Sequence, residues 1–325
     1  MKRTSALAAL LGLALSTPAL AFDGVFAFGD SLSDNGNVYA ASGWFPPAPY
    51  WHGRFSNGPV MVEDLAKGLG VPLHDYAFGG ATSGNANNLN GSYGLSGLPG
   101  LSQEISGYVG SSSLDPNGLY TVWAGADDAL ALFANLSTVT LASAAQTIDT
   151  STTNVADAVD TLESHGARHI LVLNMPDLGL TPRLLSADST IPYASYAATF
   201  YSQGFNLALG GKLDILQNSA GFDANIIQFN VFGAMTQVFN NAASYGFTDI
   251  TQPCLNTGTL SVCSDPNSYA FWDDVHPTAH LHQVLANEVL AAVPEPAEWM
   301  MLLAGLGLVL GWVGRGAGQG VRAAG

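Results

Sequence analysis

Between residues 22 and 292, short and almost wholly apolar runs alternate with longer stretches in which apolar residues recur every three or four positions. The runs at 25–28, 74–78, 119–123, 169–173 and 225–229 have the length and the β-branched or aromatic content of buried strands. Helical spacing covers 60–69, 147–164, 194–219 and 277–292. Asn57-Gly58-Pro59 marks the start of the first helix, and Pro277 sits in the first turn of the last. The stretch 85–116, rich in Gly, Ser and Asn, reads as a surface excursion over the sheet. Strands alternating with helices predict an α/β fold, a mostly parallel five-stranded sheet covered on both faces. Such sheets bind ligands beyond the carboxyl ends of their strands. Ser31, Gly79 and Asp127 each follow the end of a predicted strand.

The two ends break this pattern. Met1-Lys2-Arg3, an uncharged apolar core and Ala19-Leu20-Ala21 form a secretory signal peptide over 1–21. The apolar run is too short for a membrane anchor. At the other end, over 293–325, Val293-Pro294-Glu295-Pro296 precedes an apolar run and then Arg315 and Arg322, a membrane stop pattern with its basic end inside. The domain organisation predicted is therefore a leader, one enzyme-sized body over 22–292 and a tail. The whole chain has 9 Lys+Arg against 25 Asp+Glu, a net charge of −16. Because Lys2, Arg3, Arg315 and Arg322 lie at the ends, the body is more acidic still. That balance argues against nucleic acid and anionic membrane surfaces as partners. Cys254 and Cys263, the only cysteines, are expected to pair in an exported chain. No histidine lies near them in sequence to complete a metal site.

Chemistry concentrates in four places. Ser31, in Phe28-Gly29-Asp30-Ser31-Leu32-Ser33-Asp34, is a candidate nucleophile, and a serine hydroxyl requires a base. Among seven histidines His276 is the best base, because it precedes Pro277 in a loop at a helix start. Asp273 can curl back onto its ring, with Asp274 as the alternative orienting group. His280 and His282 read as ordinary polar-face residues. An acyl-transfer site also needs donors for an oxyanion. The N–H of Ser31 serves if Ser31 opens a helix, and the N–H of Gly79 can approach closely for want of a Cβ.

The chain resembles the GDSL, or SGNH, family of serine hydrolases. The resemblance is carried by the Ser31 block, by Tyr76-Ala77-Phe78-Gly79-Gly80-Ala81-Thr82, by Val122-Trp123-Ala124-Gly125-Ala126-Asp127-Asp128, and by Asp273-Asp274-Val275-His276-Pro277-Thr278. Gly53-Arg54-Phe55-Ser56-Asn57-Gly58-Pro59 is similar to a segment of the larger lipase-like members. The resemblance implies a flavodoxin-like three-layer α/β/α sandwich, a Ser31–His276–Asp273 triad, oxyanion donors at Ser31, Gly79 and position 127, an ester substrate, and neither metal nor organic cofactor. The tail resembles the PEP-CTERM sorting signal of Gram-negative bacteria. That resemblance implies cleavage by an exosortase-type enzyme, transient membrane association through the tail, and placement at the cell surface or in the extracellular matrix, with a permanent tail anchor as the alternative.

One position departs from the family pattern. The third block normally reads Gly-x-Asn-Asp, and its Asn amide is an oxyanion donor; here Asp127 stands in that place. An ionised carboxylate donates nothing and repels an oxyanion. Asp127 is therefore held protonated, or another donor substitutes, or the site is weak. The sequence thus predicts an exported ester hydrolase, acting on lipid, short acyl or acetylated polysaccharide esters. The rival is a weakly active or non-catalytic surface protein on the same scaffold.

Overall fold

The computed structural model describes residues 22–293 apart from Ser112. The leader and the tail from Pro294 onward lie outside the described residues. Five parallel strands form the central sheet: β1 (Val25–Gly29), β2 (Leu73–Asp75), β3 (Leu119–Trp123), β4 (His169–Leu173) and β5 (Asn225–Phe229). Their order is β2-β1-β3-β4-β5, so the chain reverses direction across the sheet beside β1. β1, β3 and β4 are nearly devoid of polar residues because both of their faces are covered. β2 is shorter than the apolar run suggests, although Tyr76 and Phe78 still donate to the Ala27 and Gly29 carbonyls beyond its end.

Nine helices are described: α1 (Asn37–Ser42), α2 (Met61–Leu69), α3 (Leu101–Ser111), α4 (Ala126–Phe133), α5 (Leu141–Ser164), α6 (Pro182–Ala187), α7 (Ala194–Gln217), α8 (Val231–Asn240) and α9 (Ala279–Ala292). α3, α5 and α7 pack together over one face of the sheet, and α2 and α9 pack against each other over the opposite one. Among the described residues no helix is long and apolar enough to cross a membrane. Two short strand pairs follow α8: β6 (Asp249–Pro253) pairs with β9 (Tyr269–Phe271), and β7 (Leu255–Asn256) with β8 (Ser261–Val262). Cys254 and Cys263 form a disulfide that ties this last pair, with Cα atoms 4.9 Å apart.

The stretch 85–116 is not wholly a surface excursion. Its second half is α3, whose Leu101, Ile105 and Tyr108 are buried in the main core. Leu-Ser-Gln-Glu-Ile-Ser-Gly-Tyr carries its apolar residues at helical spacing, but Gly, Ser and Asn around it hide the pattern. α3 also delivers Glu104, which is buried and accepts the N–H groups of Gly29 (2.9 Å) and Phe78 (3.1 Å). One carboxyl group thereby joins the ends of β1 and β2 immediately before the nucleophile block. Gly29 admits no substitute: a Cβ there would lie 2.0 Å from the Trp123 carbonyl oxygen of β3.

Candidate active site

Ser31 follows β1 in a hydrogen-bonded turn, with Ser33 and Asp34 N–H groups donating to the Asp30 carbonyl at 3.0 and 3.1 Å. It does not open a helix, so the helix-terminal charge expected to assist its N–H is absent there. His276 lies far away in sequence, between β9 and α9, and its Nε2 is 2.8 Å from Ser31 Oγ. His276 Nδ1 is 2.7 Å from Asp273 Oδ2. Asp273 Oδ1 accepts the N–H groups of Val275 and His276, which locks the turn that presents the imidazole. Asp274, the alternative orienting group, is instead held by Arg183 through two bonds of 2.8 and 3.0 Å.

A further group escaped sequence reasoning. Tyr50 donates its hydroxyl to Asp273 Oδ2 at 2.6 Å from more than two hundred residues away. Burial and the Asp273 charge raise the Tyr50 hydroxyl pKa far out of the physiological range, so it stays a donor. Burial works to raise Asp273, but the His276 charge and hydrogen bonds from His276 and Tyr50 outweigh it and hold the carboxylate at about 2. Burial works to lower His276, yet the Asp273 carboxylate and its hydrogen bond raise it above the usual value. The ring of Phe55, from the Arg54–Pro59 segment, packs against the imidazole with centroids 5.3 Å apart. His282 is not on a polar face: it is buried, accepts the Met61 N–H, and is held neutral by burial, at about 3.

The donors around Ser31 differ from those read in the sequence. The Gly79 N–H donates to Asp34 Oδ2 at 2.8 Å and is buried in that bond. Asp34 collects four backbone N–H groups in all, from Gly36, Asn37, Val38 and Gly79. Gly79 therefore anchors the turn rather than facing the site. Gly80, one residue on, lines the groove beside Ser31, Asp127 and His276. Its φ of +78° suits glycine, and a Cβ would meet Asn87 Oδ1 at 2.7 Å. Among the described residues the N–H groups of Ser31 and Gly80 take part in no hydrogen bond. The family pattern pointed to a glycine pair, and the sequence could not tell which member turns outward.

Asp127 reaches the same groove from the first turn of α4. Burial raises its carboxyl to about 6, against opposing contributions from the Asn88 hydrogen bond and the His276 charge. Asn88 Nδ2 donates both to Asp127 Oδ1 (2.9 Å) and to the Asp127 carbonyl (2.8 Å). An amide nitrogen has two hydrogens, so Asn88 has none left for an oxyanion. It does fix Oδ1 as the accepting oxygen, which leaves Oδ2 as the place for a carboxyl proton. Asp128 is turned away, accepting the N–H and hydroxyl of Ser83 at 2.7 and 2.8 Å. Beneath Ser31, Asp30 accepts the Leu32 N–H, and burial together with the Asp127 charge raises its carboxyl well above the ordinary range. No group of metal-ligating side chains is found among the described residues.

A hydroxyl, an imidazole and a carboxylate in series, at the carboxyl edge of a parallel sheet, form the constellation used by acyl-transferring serine enzymes. The chain belongs to the GDSL-like Lipase/Acylhydrolase family, whose model matches residues 25–289. It is a hydrolase acting on ester bonds. It is similar to a phosphatidylcholine-sterol acyltransferase of Aeromonas hydrophila, at 27% identity over 90% of this chain and 97% of that protein. A thermolabile hemolysin of Vibrio parahaemolyticus is 26% identical over 85% of this chain and 65% of its own length. GDSL esterase/lipase 6 of Arabidopsis thaliana is 24% identical over 81% of this chain and 84% of its own. A solved family two carbohydrate esterase from Clostridium thermocellum aligns over 82% of this chain and 62% of its own at 13% identity and a TM-score of 0.40, too distant to bear on substrate.

Proposed function

We propose that this protein is an exported serine esterase that works through Ser31, His276 and Asp273. The observation carrying this reading is the continuous relay from Ser31 Oγ to His276 Nε2 and from His276 Nδ1 to Asp273 Oδ2, at 2.8 and 2.7 Å. Ser31 Oγ attacks the ester carbonyl carbon while its proton passes to His276 Nε2. The carbonyl π pair moves to oxygen, which meets the N–H groups of Ser31 and Gly80 and the carboxyl proton of Asp127. The tetrahedral intermediate collapses, the bond to the alcohol oxygen breaks, and His276 gives that oxygen its proton. Water then attacks the acyl-enzyme by the same route, releasing the acid and restoring Ser31.

Asp127 gives this mechanism an unusual proton requirement. The donor must be protonated while the base must be neutral, yet the donor is at about 6 and the base is raised above its usual value. A carboxyl whose pKa is pushed up by an apolar site can donate a hydrogen bond while neutral, as one does in ketosteroid isomerase. The competent form is thus a minority protonation state, and turnover falls as pH rises and Asp127 ionises.

Export is supported by the disulfide, which suits an oxidising compartment. The leader, the tail, processing by an exosortase-type enzyme and surface or matrix placement rest on the sequence pattern alone. Mass spectrometry of the mature C-terminus tests the tail, with cleavage near Pro294-Glu295-Pro296 as the expected result. Acyl transfer to an alcohol is a second reading, supported by similarity to the Aeromonas acyltransferase along nearly its full length. Adding a small alcohol during ester turnover and measuring the new ester against free acid separates the two. A fluorophosphonate probe tests the nucleophile: it should label the wild type and not Ser31→Ala. Absence of wild-type labelling from pH 5 to 9 would favour the non-catalytic scaffold.

A further inference from the structure

Ser31 and His276 border two spaces of different character. One is the open groove of about 470 Å³, whose lining includes the polar side chains of Asn88 and Arg183; Asp127 borders both spaces. The other is an apolar cavity of about 40 Å³ walled by Leu32, Trp123, Leu178, Met235, Phe271 and Leu285. All six of these side chains belong to residues more than nine-tenths buried. They come from six separate parts of the chain, so the cavity is formed by tertiary packing and not by a local motif.

We propose that the small cavity receives the acyl part of the substrate and restricts the enzyme to esters of short acyl chains, with the bulky alcohol lying in the open groove. The inference rests on the serine esterase reading. A carbonyl carbon under attack carries two substituents, the acyl chain and the alcohol oxygen. The alcohol leaves and water enters while the acyl group is still bound to Ser31, so the alcohol belongs in the space open to solvent. The narrower space is left for the acyl chain, and its largely apolar wall suits methyl and methylene groups. One water requires roughly 10–15 Å³ by this measure, so the cavity has room for about three non-hydrogen atoms. That fits an acetyl to butyryl chain and excludes an octanoyl chain. The walls cannot widen cheaply, because they are packed core and interiors approach crystal density. Met235 is a wall side chain that can be varied apart from the reacting groups, because it comes from α8, outside the catalytic turns.

The test is kcat/KM for p-nitrophenyl acetate, butyrate, hexanoate and octanoate with the wild type, Met235→Ala, Leu285→Ala and Met235→Phe. A misplaced methylene changes kcat/KM by roughly tenfold or more. The wild type should therefore fall at least tenfold between butyrate and octanoate. Met235→Ala should raise the octanoate-to-acetate ratio at least tenfold, and Met235→Phe should lower the butyrate-to-acetate ratio. A wild type that turns over octanoate as well as acetate overturns the inference without any variant. So does an unchanged chain-length profile in Met235→Ala or Leu285→Ala protein that is folded by circular dichroism and reacts with fluorophosphonate. A wild type that neither reacts with fluorophosphonate nor hydrolyses any ester removes the esterase reading, and this inference with it.

Discussion

Replacing Asp127 by Asn converts a titrating donor into a permanent one. The side chains are nearly isosteric, and Asn88 should fix the orientation of the new amide. Its N–H already binds Oδ1, so the amide oxygen takes that place and the amide nitrogen takes the place of Oδ2. With Asp127 at about 6, only about 1% of it is neutral at pH 8, against about half at pH 6. Asp127→Asn should therefore raise kcat/KM about 100-fold at pH 8 and only about twofold at pH 6. The gain is capped by the roughly 10²–10³ that a single oxyanion donor contributes. The pH profile should change shape as well. The wild-type rate is limited at low pH by protonation of His276 and at high pH by ionisation of Asp127. The variant should keep the first limb and lose the second, rising to a plateau. Initial rates on p-nitrophenyl acetate from pH 5 to 9 measure both effects. A variant with the wild-type profile, or one equally slowed at every pH, would refute a donating carboxyl at position 127.

Three other outcomes follow from the same geometry. Tyr50→Phe removes one donor from Asp273 Oδ2, leaving a more basic carboxylate beside His276; the acidic limb of the pH profile should move to higher pH, with kcat reduced by about tenfold or less. Glu104→Gln replaces one of two accepting oxygens by a donor facing a backbone N–H at the start of the nucleophile turn; it should cost about 1–3 kcal/mol in urea unfolding. Replacing both Cys254 and Cys263 by Ser opens a loop of sequence separation 9, worth about 2–3 kcal/mol by chain entropy. The Tm should drop by roughly 5–10 °C, and activity should weaken because Cys254 packs with Trp272 and Tyr50, which support Asp273.

The candidate relay was legible because its local requirements are strict. A nucleophile must follow a strand end, and an orienting carboxylate three residues before a histidine can close a tight turn, so Ser31, Asp273 and His276 carry recognisable surroundings. The inner strands β3 and β4 are legible to their observed limits, since burial on both faces leaves nearly uninterrupted apolar runs, and the edge strand β5 is legible from its Ile226-Ile227 pair and Phe229. Helix limits were less legible. α5 begins at Leu141, six residues before its periodic pattern becomes clear, because its first turns are largely exposed and carry Ala, Ser and Gln. α4 and α8 were not recognised at all, being only 8 and 10 residues long.

By itself, then, the sequence determined the α/β layering, the order of the strands along the chain and the residues of the relay, because each leaves a short-range pattern of polarity or spacing. Tertiary structure alone decided the rest of the site. It commits the Gly79 N–H to Asp34 and turns Gly80 toward Ser31. It brings Tyr50 onto Asp273, Glu104 under the nucleophile turn and Asn88 onto Asp127. It closes six distant apolar side chains around a space for only a few atoms. These partners are tens to hundreds of residues apart, and the energetics that join them, burial of a carboxyl and satisfaction of buried N–H groups, exist only after the core has formed.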